Sequence, residues 1–203
     1  MRLWEKIRMS KQTMKDRHIF LNSKQVWDNN LKIPPDNKLS YPDENLVRLF
    51  FGRHVTISQS SVVMLDHGFE TGKNLVFFAN KGYDCASCER SQNLIDEADS
   101  RFRKINKPVN LKLVKDLAIP FDDEEFEIVV SWNVLHYNGT RLVVSQVIDE
   151  FPRFLKPVGV FILSTVSLES SFSDRLNPLT DGSYLIEKES RYDDRMGGNF
   201  FYS

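Results

Sequence analysis

Apolar and polar positions in this chain fall into short blocks whose period changes in a repeating order. SVVMLD (61–66) is a compact apolar run, suited to a strand buried on both faces. Residues 71–80 have helical spacing and are closed by Lys81-Gly82, glycine being the usual residue past a helix end. YDCASC (83–88) reads as a second strand. Residues 91–104 read as a helix with Leu94, Ile95 and Ala98 on one face. VNLKLVK (109–115) alternates as a third strand, and FEIVVSW (126–132) is a fourth and strongly apolar one. Residues 140–155 form a helix with Val144, Val147, Ile148 and Phe151 inward, before a fifth strand, GVFILSTV (159–166). Ahead of all these, Asp43-Glu44-Asn45 opens an amphipathic helix through LVRLFF, with Leu46, Leu49 and Phe50 on one side. Five strands joined by helical or looped crossovers imply an α/β fold. The sheet is doubly wound and mostly parallel, with helices on both faces.

The flanks are different in kind. Residues 1–40 form a basic extension of short helical pieces and loops, broken at Pro34-Pro35-Asp36-Asn37. Residues 41–166 are the α/β domain, and 167–203 a polar, lid-like or incomplete segment of it. A length of 203 residues fits one such domain, and 41% hydrophobic with 12% aromatic residues suffices for its core. Tyr41, Arg191, Tyr192 and Arg195 are lid candidates, with Gly197 and Gly198 suited to a turn. The arginines would select an anionic substrate, although a disordered tail fits the pattern equally well.

Charge and cysteines narrow the setting. The net charge of −1 offers no bulk attraction to nucleic acid or acidic membrane. Residues 1–38 alone carry +5, so the rest carries −6; the arm either meets an anionic partner or is solvated. Cys85 and Cys88, the only cysteines, lie on a predicted strand, where their odd offset sends them to opposite faces. With no second Cys/His pair to complete a metal site, core packing fits better than redox or zinc chemistry, and no metal is expected. Two free thiols, a charged N-terminus without an apolar leader, and no run of membrane-spanning length predict a cytoplasmic protein.

The chemistry concentrates between Val62 and Asn93. At the first strand end stands Asp66-His67-Gly68-Phe69-Glu70-Thr71-Gly72. Its glycines let the backbone pass close to a ligand, and the next helix offers free N–H groups to an anionic end. Asp66 is expected to hold the loop amides. Glu89, followed by Arg90, ends the second strand, where an acid commonly pairs with ribose hydroxyls. Asp116 ends the third strand, placed to accept from a purine amine, and Ser131-Trp132-Asn133 ends the fourth. Gly68-x-x-x-Gly72 does not satisfy G-x-G-x-x-G, which disfavours a dinucleotide; no Walker lysine pattern supports ATP. His136 is the best-placed candidate base near the crevice rim, with a capping or structural role as the simpler reading. His67 is as easily a packing residue.

In this order the motifs resemble the class I S-adenosylmethionine-dependent methyltransferases of small-molecule type. That family has D-x-G-x-G-x-G at its first strand end. Here Asp66, Gly68 and Gly72 are in register, with Glu70 at the middle glycine. NLVFFANKGYD resembles the next helix and strand, FEIVVSWNVLHY the fourth motif, and FLKPVGVFILSTV the return to strand five. The resemblance covers about residues 41–166. It implies S-adenosylmethionine as cofactor. Gly68 and Gly72 would line the methionyl end, with Asn133 in contact with it, Glu89 would hold the ribose hydroxyls, and Asp116 with Leu117 the adenine; Asp66, Phe69 and Arg90 would belong to the same cofactor site. It implies methyl transfer to a small molecule, anionic by the lid arginines, or to a glycan precursor. No Asp/Asn-Pro-Pro-Tyr run follows the fourth strand, so nucleic-acid bases are not the expected acceptor.

Two departures support an alternative, a catalytically inactive binding or regulatory module on the same fold. Glu70 stands beside a ligand end that carries both an ammonium and a carboxylate. It helps if it faces the first, repels if it faces the second, and is neutral if it turns to solvent. A positive φ there would add strain of about 1 kcal/mol. The family's sheet also ends with two further strands, and this chain stops at Ser203 as the first would be starting. An open sheet edge is therefore expected, the sequence being a truncated piece, a degenerate gene product, or one completed by a protein partner or second copy.

Overall fold

A computed structural model describes residues 41–52, 62–115, 118–138, 141–167, 169, 176–178, 184–186 and 201–202. The basic extension, the lid candidates other than Tyr41, and Asp116 with Leu117 lie outside these residues.

Helix α1 (Glu44–Phe51) starts where Asp43 turns back on it, its carboxylate accepting from the N–H groups of Asn45 at 2.9 Å and Leu46 at 3.3 Å. The strands and helices that follow are β1 (Val63–His67), α2 (Lys73–Asn80), β2 (Asp84–Glu89), α3 (Gln92–Lys104), β3 (Asn110–Leu113), β4 (Phe126–Trp132), α4 (Arg141–Phe154) and β5 (Leu155–Ser164). Five strands form one parallel sheet in the order β3-β2-β1-β4-β5. The order reverses between β1 and β4, and a ligand crevice in such a sheet lies at that switch, beyond the carboxyl ends of the strands.

Strand residues alternate between two cores. Met64, Cys85, Ile128 and Val130 pack with α1, α2 and α3, through Leu46, Phe50, Leu75, Phe78, Leu94 and Phe102. Leu65, Ala86, Cys88 and Val129 pack on the other face with α4, through Val144, Val147, Phe151 and Phe154. The two cysteines are thus free, buried and on opposite faces, as their spacing requires. Burial pushes the Cys85 thiol up to about 12 and raises that of Cys88 as well, so neither is a thiolate.

Three local expectations shift. Gly72 has φ +74° and so stands outside the helix, which begins at Lys73 rather than at residue 71. On α4 Ile148 is 37% exposed and Val143 is buried instead. At 100° per residue, 143, 147, 151 and 154 cluster tightly on one stripe, and 148 falls past its edge. Finally, β5 begins at Leu155, directly on the end of α4, not at residue 159. Residues 176–202, expected to be mostly loop, contribute β6 (Leu176–Pro178), β7 (Tyr184–Ile186) and β8 (Phe201–Tyr202), a separate antiparallel sheet. Among the described residues β5 is therefore an edge strand of the main sheet.

Within β5, where the pairing with β4 is interrupted between Leu155 and Val160, Val158 has φ +61° and a fully exposed side chain. A β-branched residue in the left-handed region is strained by about 1–2 kcal/mol. No packing compensates at this exposed position. Val158→Gly is expected to raise stability by about 1 kcal/mol, after allowing for the added freedom of the unfolded chain. A urea-unfolding midpoint that stays put or falls would refute this.

Candidate functional site

A cavity opens at the carboxyl ends of β1, β2 and β4, the position that the strand order dictates. Its floor is the loop that leaves β1. Gly68 has φ +73°, and a Cβ there would meet Val134 Cγ1 at 2.6 Å, so both conformation and space demand glycine. Its N–H donates to Cys88 O at 3.0 Å and ties the loop to β2. Gly72 is demanded by conformation alone, because a Cβ there would make only ordinary contact with Phe102 at 3.5 Å. Between them Glu70 adopts φ +51°, a left-handed glutamate at the position where a glycine would be free of strain.

Glu89 organises this loop. Its side chain lines the cavity and is 6% exposed. Its carboxylate accepts from its neighbour's N–H, Arg90 N, at 2.7 Å, and from the backbone N–H of Glu70. Burial raises its pKa, and those donors with the Arg90 charge pull it back. The sequence assigned the loop amides to Asp66; among the described residues the Glu70 amide bonds to Glu89, that of Gly68 to Cys88 O and that of Gly72 to Phe69 O. Asp66 is buried beneath the loop, and its carbonyl accepts from Ser87 Oγ. Burial, reinforced by the charge of Glu89, raises its carboxyl to about 7.

That shift has a sign. The folded protein holds the Asp66 proton up to about pH 7, whereas the unfolded chain releases it near 3.8. The stability from Asp66 is complete below the lower value and is lost as pH rises through the higher one. Asp66→Asn is therefore expected to unfold at higher urea than the parent at pH 8 and to match it at pH 4. An equal difference at both pH values would exclude titration as the cause.

The two histidines differ in placement. His67 lines the cavity, with Nδ1 hydrogen-bonded to Ser131 Oγ at 3.1 Å and its ring edge-on to Phe151 at 5.2 Å. Burial, then the Arg90 charge, lowers it to about 3. His136 sits in the short 3-10 turn Leu135–Tyr137 and is 5% exposed. Its Nδ1 lies 3.4 Å from Thr165 Oγ1, its ring packs on Tyr137 at 4.0 Å, and burial lowers it to about 4. It is absent from the cavity wall, where its neighbours Tyr137 and Asn138 stand instead.

The remaining expected residues gather as follows. Phe69, Arg90 and Asn133 line the cavity. Arg90 donates to Tyr137 O at 3.1 Å and joins the end of β2 to the turn after β4. Asn133 has φ +57° and is held to the end of β5, accepting from Ser164 Oγ at 2.8 Å. Trp132 also lines the wall, and its Nε1 is buried with no hydrogen-bond partner among the described residues. Lys73 lines it too and was not anticipated, although its place directly after the second glycine was a signal. Among the described residues no three His, Cys, Asp or Glu side chains are grouped to hold a metal ion.

The lining is therefore specific: a buried carboxylate able to accept from a diol, and an acid and a base three residues apart where the loop enters α2. It suits a nucleoside with a charged tail. Residues 65–163 match a family model described as a methyltransferase domain. Solved structures with the same fold include the PH0226 protein of Pyrococcus horikoshii OT3 (18% identity, TM-score 0.60, covering 78% of this chain and 78% of that one). A second is geranyl diphosphate C-methyltransferase from Streptomyces coelicolor A3(2) (17%, TM-score 0.53, 70% of this chain and 62% of that one). A third is the [4+2]-cyclase SpnF (19%, TM-score 0.52, 72% and 58%). This chain thus spans less than two thirds of the latter two, and at these identities the likeness is one of fold. No curated protein sequence matches the chain significantly.

Proposed function

We propose that this chain is a class I S-adenosylmethionine-dependent methyltransferase, supported by the methyltransferase-domain match over residues 65–163 and by its Rossmann-like parallel sheet, and that its cavity binds S-adenosylmethionine for methyl transfer to a small molecule or glycan precursor. The observation that carries this reading is the meeting of Glu89 with the glycine-cornered loop at the switch between β1 and β4. In it the Glu89 carboxylate holds the ribose hydroxyls, with Arg90 steadying the far wall. Gly68, Phe69, Gly72 and Asn133 flank the methionyl end above Asp66, and Asp116 with Leu117 contact the adenine. When bound, the cofactor supplies an electrophilic methyl group on a sulfonium.

The chain's own task is then alignment of an acceptor atom and exclusion of water. Neither histidine is a strong base: imidazoles lowered to about 3 and 4 hold a proton poorly at neutral pH. The suitable acceptors are those that arrive ionised or lose an acidic proton readily; His136, the base expected from the sequence, would reach such a proton only if the turn Leu135–Tyr137 brought it to the cavity wall. The Streptomyces coelicolor neighbour was crystallised with geranyl diphosphate and S-adenosylhomocysteine, so the fold has room for an anionic small molecule beside the spent cofactor. A cytoplasmic setting belongs to the same proposal, supported by two free buried thiols. Among the described residues no helix is long and apolar enough to cross a membrane. Calorimetric titration with S-adenosylmethionine and S-adenosylhomocysteine tests the reading; no heat and no thermal shift at millimolar ligand would end it.

A second reading has its own observations. Strain at Glu70, and the edge position of β5 among the described residues, favour a binding module that does not turn over. A fold neighbour named as a cyclase illustrates that this fold carries more than one chemistry. Ligand binding without methyl transfer to any acceptor, together with a partner or second copy bound along β5, would favour the module.

A further inference from the structure

The charged side chains lining the cavity can be sorted by what already engages them. Asp43 caps α1 through its carboxylate. Glu89 accepts from loop N–H groups, and Arg90 donates to Tyr137 O. Glu70 and Lys73 remain: both line the cavity, both are half-buried, and among the described residues no hydrogen bond or ion pair engages either side chain. They are opposite charges three residues apart, Glu70 on the loop that leaves β1 and Lys73 at the first residue of α2. Building on the cofactor reading above, we propose that Glu70 and Lys73 form a clamp for the zwitterionic amino-acid end of the cofactor. The carboxylate of Glu70 receives the α-ammonium, and the ammonium of Lys73 receives the α-carboxylate.

The local field sets this orientation. Lys73 is the first residue of α2, where the free N–H groups and the helix dipole add positive potential to that of the lysine. The carboxylate therefore belongs at Lys73, which leaves the ammonium to Glu70, before the helix begins. The left-handed backbone of Glu70 serves the same end. Its N–H is committed to Glu89 while its side chain stays available to the cavity. A glycine at position 70 would provide the first and not the second. The residue that departs from the family pattern is thus a determinant of tail recognition.

The test compares S-adenosylhomocysteine with 5′-methylthioadenosine, which keeps the nucleoside and thioether but lacks the amino-acid end. Calorimetry on the full chain should show the parent binding S-adenosylhomocysteine more tightly. Glu70→Gln and Lys73→Met should each weaken it about five- to tenfold, the range for charged hydrogen bonds that remain partly solvated. Affinity for 5′-methylthioadenosine should stay within about twofold on the same physical ground. Both substitutions are at half-buried polar positions, and thermal melts confirm folding. Unchanged S-adenosylhomocysteine affinity in both variants, or tighter binding by Glu70→Gln, overturns the clamp alone. Failure of the parent to bind either nucleoside removes the cofactor reading, and the clamp with it.

Discussion

Glu89→Ala is expected to lower affinity for S-adenosylhomocysteine on the order of a hundredfold. A buried carboxylate that takes two ribose hydroxyls makes two charge-assisted hydrogen bonds, each worth about 1.5–3 kcal/mol, and about 1.4 kcal/mol is a factor of ten. The same carboxylate accepts from the N–H groups of Arg90 and Glu70, so the substitution also loosens the loop against β2. Titration must therefore be made well below the variant's melting temperature. Glu89→Gln keeps the shape, replaces one acceptor oxygen with a donor and should fall between parent and alanine variant. Affinity for the nucleoside that survives Glu89→Ala intact would remove the ribose from this residue.

Gly68→Ala should destabilise the folded protein by about 2–4 kcal/mol. The left-handed backbone at φ +73° contributes about 1–2 kcal/mol, and forcing a methyl against Val134 at 2.6 Å adds about 1–3 kcal/mol of overpacking. Val134 is β-branched and cannot rotate aside without cost. The two terms separate in a double-mutant cycle with Val134→Ala, which relieves the crowding and leaves the backbone term. Coupling near zero would mean that the loop shifts to admit the methyl. Gly72→Ala should cost only the backbone term, because its methyl would find ordinary contact.

The sequence exposed some of this design and concealed the rest. The span of β4, Phe126–Trp132, matched its apolar run, because turn-forming acids and an asparagine bound it sharply. The start of α3 was visible in Ser91, whose hydroxyl accepts from Leu94 N at 3.5 Å. Strand parity placed Cys85 and Cys88 on opposite faces, since the alternation of a strand depends on nothing else. Three features were beyond reach of pattern. The start of β5 was hidden because α4 runs into it without a break and the interruption in its pairing uses a valine where pattern expects glycine. The Glu70 amide chose Glu89 over Asp66 because pairing across strands, not distance along the chain, decides which acid faces it. His136 was expected at the rim and lies buried behind it, because the twist of a single 3-10 turn decides which of Leu135, His136 and Tyr137 faces inward.

Val158 has a use that its location creates. It lies before the paired stretch of β5 that runs to Ser164, and it is Ser164 that meets Asn133 at the cavity. The strained residue is thus toward the far end of the strand from the ligand. A glycine there is a global suppressor: a background in which costly cavity variants stay folded long enough for their binding to be measured. Gly68→Ala, otherwise at risk of reporting only its own instability, becomes informative in that background.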